Sequence, residues 1–320
     1  MAGDDQPGRP LTKASDFPPE VLSLFDKYVH NLIDRRGFLE GAARFAAGGL
    51  TATAFLEALS PRFAEAQQVP KADPRINAEY PEFPSPRGYG KGRGYLVTPA
   101  AAAKRDAKTS AKVPAKLPTK LPTILVVHEN RGLNPHIEDV ARRLALEGFI
   151  AFAPDALFPL GGYPGDEDKG RELFTKLDQT RTREDFVAAA SFLRARPQSN
   201  GKLGVIGFCY GGGVANFLAT QLPDLNAAVA FYGSAPAIDR VAAIKAPLQL
   251  HFAENDERIN SSWPAYEAAL KAAGVKYEAF HYPGTQHGFN NDTTPRYDPA
   301  AAKLAWQRAV AFFGRTLRGH

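Results

Sequence analysis

Cysteine is nearly missing from this 320-residue chain: Cys209 is the only one, so no internal disulfide can brace the fold. Taken alone, a single cysteine is more often a small buried hydrophobe than a nucleophile. With no second thiol to resolve a sulfenic acid, a redox role for it is disfavoured. Excess charge is also missing from most of the chain. The net charge is +5, and the tract from Ala100 to Pro122 carries Lys104, Arg105, Lys108, Lys112, Lys116 and Lys120 against Asp106, which accounts for all of it. No aromatic residue interleaves with those lysines, so a base-stacking surface is lacking and nucleic acid is not expected as a partner. Long apolar runs are absent too. The uncharged run Ala46–Leu56 has 11 residues, whereas a spanning helix needs about 20. No internal repeat is present.

What the chain does contain divides into three parts. Residues 1–66 read as a leader lying apart from the catalytic core. Within it Val21, Phe25, Tyr28, Val29 and Leu32 have helical spacing. The segment Asp34-Arg35-Arg36-Gly37-Phe38-Leu39-Glu40 resembles a twin-arginine export signal. It is followed by the uncharged run and by Ala64-Glu65-Ala66, which has the small-x-small form of a cleavage site. Export to a bacterial periplasm, with Arg35 and Arg36 read by the Tat machinery, is therefore expected; the alternative is an amphipathic helix with solvated arginines in a cytoplasmic protein. Residues 67–84, polar and dotted with proline, read as a linker, and 100–122 as a basic flexible insertion in a domain running from 85 to 320.

After Pro122 the pattern becomes strand alternating with helix. Strands are expected at Thr123–His128, Phe149–Pro154, Leu203–Phe208, Ala227–Tyr232, Leu248–Phe252 and Lys276–Tyr282. Most are continuous apolar runs, as in parallel sheets covered on both faces. Helices are expected at His136–Glu147, Glu184–Arg194, Gly212–Gln221, Pro264–Ala273 and Pro299–Leu317. This alternation predicts a doubly wound α/β domain.

Cys209 sits at the most informative point of that pattern. An apolar strand runs into Gly207-Phe208-Cys209-Tyr210-Gly211, and a helix follows at once. This is the nucleophile-elbow form, with glycines where side chains would collide in a tight, strained turn. A phosphate-binding loop would place a lysine among its glycines, and none is there. An acid and a histidine follow in the order the elbow requires. Asp256 lies just past the strand Leu248–Phe252, with Glu254 as the rival acid. His287 lies in a Gly/Pro loop after Lys276–Tyr282. Cys209 as nucleophile, His287 as base and Asp256 as its orienting acid make a coherent set. His251 and His281 fall within strand patterns and read as structural.

With those residues in hand, the sequence resembles the dienelactone hydrolase family (carboxymethylenebutenolidase-like) over about residues 85–317. The segment His128-Glu129-Asn130-Arg131-Gly132 joins the Gly-Phe-Cys-Tyr-Gly elbow, Asp256 and His287-Gly288-Phe289 in carrying the resemblance. It implies an α/β-hydrolase fold, a mostly parallel sheet with flanking helices, and hydrolysis of an ester or lactone through a covalent thioester. It also implies that Glu129 contacts the resting thiol and that the backbone N–H groups of Asn130 and Tyr210 receive the oxyanion. Two substrate-clamping arginines of the family are replaced here by Pro159 and Asn291. Arg296 is the candidate to stand in for them, and a less acidic ester or lactone becomes at least as good a substrate as dienelactone. The segment 158–181 is expected to cap the pocket. No cofactor or metal is implied; the partner is a small-molecule ester. The rival reading is a catalytically silent α/β-hydrolase that binds a ligand or partner, which would not need all three of Cys209, Asp256 and His287.

Overall fold

The computed structural model describes residues 13–46, 51–61, 67–100 and 120–318. A nine-stranded sheet runs through the chain past residue 75. Six strands pair in parallel: β4 (Leu121–Val127), β5 (Ile150–Pro154), β6 (Ser199–Phe208), β7 (Ala227–Phe231), β8 (Leu248–Asn255) and β9 (Tyr277–Gln286). Their order across the sheet is β5-β4-β6-β7-β8-β9. Every residue of β4, β5 and β7 is buried, so the apolar runs are continuous because helices cover both faces. An antiparallel edge precedes them: β3 (Gly90–Pro99) pairs with β5, and β1 (Ile76–Glu79) and β2 (Glu82–Ser85) pair with β3.

That edge corrects the reading of 67–84 as a linker. Proline and polar residues concealed two short edge strands, where exposed positions outnumber buried ones and only Ile76, Phe83 and Ser85 face inward. The insertion boundary also moves: Leu121 and Pro122 are buried in β4. Of the basic tract, residues 101–119 lie outside the described residues.

Helices α4 (Pro135–Leu146), α6 (Gln179–Arg194), α7 (Tyr210–Gln221), α9 (Trp263–Ala272) and α10 (Pro299–Leu317) flank the sheet, with α5 (Glu167–Thr175) in the 158–181 segment and the short α8 (Glu257–Asn260) after β8. Local chemistry sets their ends. Asn134 caps α4 through Ile137 N–H, and Asp298 caps α10 through Ala301 N–H, each followed by proline in the first turn. Two hydrophobic cores lie on opposite faces of the sheet, one around Phe152, Phe186 and Leu218, the other around Ile137, Phe149 and Phe313.

A third core belongs to the N-terminal region alone. Helices α1 (Pro19–Val29), α2 (Arg35–Ala42) and α3 (Ala52–Leu59) pack on one another around Val21, Phe25, Phe38, Phe55 and Leu59. Burying a Phe side chain is worth about 1.5–3 kcal/mol, so the four buried phenylalanines, Phe17, Phe25, Phe38 and Phe55, hold this small unit together. Arg35 and Arg36 open α2, which Asp34 caps, and Arg36 pairs with Glu40. The Ala64-Glu65-Ala66 motif lies outside the described residues. Among the described residues, no helix is long and apolar enough to cross a membrane.

Candidate active site

The turn from β6 into α7 places Cys209 at the top of the sheet in a conformation a side chain rarely adopts, φ 55° and ψ −114°. The close approach explains the glycines. A Cβ at Gly207 would lie 1.8 Å from the Gly211 carbonyl oxygen, and one at Gly211 would lie 2.2 Å from that of Val127. The backbone N–H of Cys209 is pinned to Phe231 O at 3.0 Å. Cys209 sits at the N-terminus of α7, where the partial positive charge of the helix favours an anion.

Two neighbouring strands bring up the acid and the histidine. Asp256 follows β8 and His287 follows β9; the Oδ2 of Asp256 lies 2.5 Å from Nδ1 of His287, with both side chains buried. The opposite ring nitrogen, Nε2, is buried without a hydrogen-bond partner. The rival Glu254 points elsewhere and accepts from Gly284 N–H at 2.7 Å. His251 is buried between Tyr282 Oη and Gln249 and takes no part. The Tyr232 ring packs on His287 with centroids 4.9 Å apart.

Electrostatics couple these groups. Burial pushes the Cys209 thiol up, but His287 and His30 outweigh it and bring it down to about 5. Burial likewise depresses His287, while Asp256 and then Cys209 outweigh it and lift the imidazole to about 10. The favoured resting state at neutral pH is therefore a thiolate beside an imidazolium.

The loop after β4 departs from expectation. Glu129 is buried and its Oε2 accepts from Asn291 Nδ2 at 2.9 Å, so the position where the family carries an arginine is occupied by the amide that holds Glu129. The group at hydrogen-bond distance from the sulfur is instead His30, with Nε2 3.3 Å from Sγ. Asn130 donates from Nδ2 to Val29 O at 2.6 Å, and Arg131 pairs with Glu167 of α5 at 2.5 Å. Tyr210 is the first residue of α7, so its N–H has no partner within the helix. Arg296 is buried beside Gly288, with Nη1 3.8 Å from Oδ1 of Asp26.

Sequence reading missed three residues here: His30, Asp26 and Arg258. His30 Nδ1 lies 2.7 Å from Asp26 O and 3.2 Å from Asp26 Oδ1. Arg258 places Nη2 2.9 Å from His30 Nε2 and 3.3 Å from His287 Nδ1. The only signal in the sequence was an Asp–His pair four residues apart on one predicted helix, which says nothing about where that helix docks. The expectation that the leader lies apart from the catalytic core is corrected by these contacts. Among the described residues, the donor atoms of His30, Cys209 and His287 form the one such group close enough to share a cation, all within 4.8 Å of one another. Each histidine of the group is engaged by an aspartate through Nδ1.

Comparison with known proteins agrees with this architecture. A protein named "putative hydrolase fragment YghX" from Escherichia coli (strain K12) is 52% identical over 131 residues, 41% of this chain and 99% of the relative. A "putative carboxymethylenebutenolidase" from Salmonella typhi is 34% identical over 207 residues, 60% of this chain and 76% of the relative. The crystal structure of a putative dienelactone hydrolase from Klebsiella pneumoniae superposes with a TM-score of 0.60 at 29% identity, covering 75% of this chain and 99% of that one; the fold is that of the α/β-hydrolases. Separately, residues 9–47 match a YqhI-like family. The dienelactone hydrolase family profile matches residues 108–317, and the chain belongs to that family.

Proposed function

We propose that the protein hydrolyses a small carboxylic ester or lactone through Cys209, His287 and Asp256. One observation carries this reading: the thiol on the strained elbow stands beside an imidazole whose far nitrogen is held at 2.5 Å by a buried carboxylate. The thiolate of Cys209 attacks the carbonyl carbon, forming the C–S bond as the π pair moves onto oxygen. Backbone N–H groups of Asn130 and Tyr210 receive that oxyanion. Collapse breaks the C–O bond, and the imidazolium of His287 gives its Nε2 proton to the leaving alkoxide, or to the ring-opened hydroxyl of a lactone. Water then attacks the thioester, His287 takes a proton from it, and the carboxylic acid leaves as the thiolate is restored. Asp256 holds Nδ1–H throughout and stabilises the imidazolium.

The names of the relatives support esters and lactones as the substrate class. A substrate without a free carboxylate fits the site as well as dienelactone does, because Pro159 and Asn291, the latter turned to Glu129, stand where the family carries its two clamping arginines. The test is hydrolysis of a panel of aryl esters, lactones and thioesters by wild type, Cys209→Ala and Asp256→Asn. Cys209→Ala should lose more than about 10³-fold in kcat/KM with its fold intact. Retention of a tenth of the activity would assign the nucleophile elsewhere.

A further inference from the structure

The N-terminal unit makes three contacts inside the site: on the nucleophile, on the oxyanion loop and on two arginines. His30 Nε2 is 3.3 Å from the Cys209 sulfur. The Val29 carbonyl accepts from the side chain of Asn130, the residue whose backbone N–H would receive the oxyanion. Asp26 sets one carboxylate oxygen 3.6 Å from Arg258 Nε and the other 3.8 Å from Arg296 Nη1. All three residues belong to the last turn of α1 and its C-terminal cap, so a single helix end spans the sulfur, the oxyanion loop and two arginines. His30 also packs its ring edge-on against His287, with centroids 4.8 Å apart.

We propose that the N-terminal helical unit is an intramolecular ligand of the active site, which it occupies through Asp26, Val29 and His30 and must leave before an ester can bind. The proposal rests on the hydrolase reading above. Three features favour an occupant over a permanent part of the machinery. The unit has a core of its own, and its helices pack mainly on one another. It matches a different family from the α/β domain, residues 9–47 against 108–317. The Klebsiella structure is matched over 99% of its length by 75% of this chain, which leaves a quarter of the chain outside the shared hydrolase fold. The docking seam on α5 is also polar. Tyr28 donates to Asp168 of α5 at 2.6 Å, and Arg171 donates to Tyr28 O and to Asn31 Oδ1 at 3.3 and 2.6 Å. An open groove of about 400 Å³ borders that seam, lined by Tyr28, Arg35, Asp168 and Arg171 among others. Such a contact can open without unfolding either core.

The docked state also accounts for His30. Burial opposes its charged form, yet Cys209 and Asp26 raise its basicity. The His30 ring beside the sulfur keeps Cys209 covered.

The experiment compares the full chain with two variants that loosen the dock from opposite ends. Asp26→Ala/His30→Ala removes the groups at the arginines and the sulfur. Asp168→Asn/Arg171→Ala weakens the seam on α5 and leaves every group at the sulfur in place. Two rates are read for each: turnover of p-nitrophenyl acetate and alkylation of Cys209 by iodoacetamide, with circular dichroism confirming the fold. If the docked state dominates, both variants gain about tenfold or more in both rates, as a competent fraction rises from a minority. Unchanged or slower rates in the seam variant would overturn the proposal. A fall confined to the His30 variant would overturn it too, because His30 would then be working as a base. Cys209→Ala in the turnover assay alone separates this failure from that of the hydrolase reading, since alkylation of Cys209 in the other chains reports occupancy even where no ester is turned over.

Discussion

Glu129 is held by Asn291, amide to carboxylate at 2.9 Å, and not by the sulfur of Cys209. The consequence is testable, because the family resemblance implies that this carboxylate takes the thiol proton. With His287 and His30 supplying the charge that ionises Cys209, Glu129→Gln should alkylate within about threefold of wild type at pH 7, the thiolate fraction being set by the imidazoles. Iodoacetamide inactivation rates measure this directly. A tenfold slowing would restore Glu129 as the partner of the thiol.

The pH dependence follows from the same cluster. The groups facing Cys209 and His287 are His30, Asp26 and Glu129, together with Asp256, Arg258, Arg296 and Tyr232. The thiol titrates at about 5, so alkylation should be nearly complete by pH 6 and lost as pH falls through about 5, not as it falls through the ~8.5 of a free cysteine. The imidazolium persists to about 10. Because the proposed reaction needs both thiolate and imidazolium, kcat/KM should form a broad plateau between these limits and decline on either side. Alkylation that keeps rising between pH 7 and 9 would show that the thiol is not depressed.

The elbow makes a sharp stability contrast. Gly211→Ala places its Cβ 2.2 Å from a carbonyl oxygen of β4, a backbone that cannot step aside, and should cost about 3 kcal/mol or more. Gly314→Ala, inside α10 with nothing near its Cβ, should gain roughly 0.5–1 kcal/mol from helix propensity. Urea midpoints at unchanged m-value read both. Equal midpoints for the two variants would contradict the packing described for the turn.

The sheet, and the approach of Asp256 to His287 beside the Cys209 turn, were legible because local signals carried them. Continuous apolar runs mark buried parallel strands such as Ala227–Phe231, and the elbow's glycines mark its crowding. Glu254 and Asp256 were separable only in part: both end the same strand, and what divides them is that Glu254 turns to the Gly284 N–H while Asp256 reaches His287. The short strands β1 and β2 were hidden by composition, since edge strands need few buried positions. His30 was invisible for a different reason. Its partner is 179 residues away, and no periodicity within α1 encodes the surface on which that helix lands.

The pairing of β8 with β9 is regular from Leu248/Tyr277 to Ala253/Tyr282, then shifts before Asn255 meets Gln286. Asp256 and His287 are the very next residues on each strand. This irregularity therefore acts as a spacer that sets the reach between carboxylate and imidazole. One residue added to or removed from either strand beyond Ala253 would displace a side chain by about 3.3 Å and turn it to the other face. Length variation compatible with this chemistry is thereby confined to the loops at the opposite end of the sheet, where a chain of this design can be lengthened without parting the acid from its histidine.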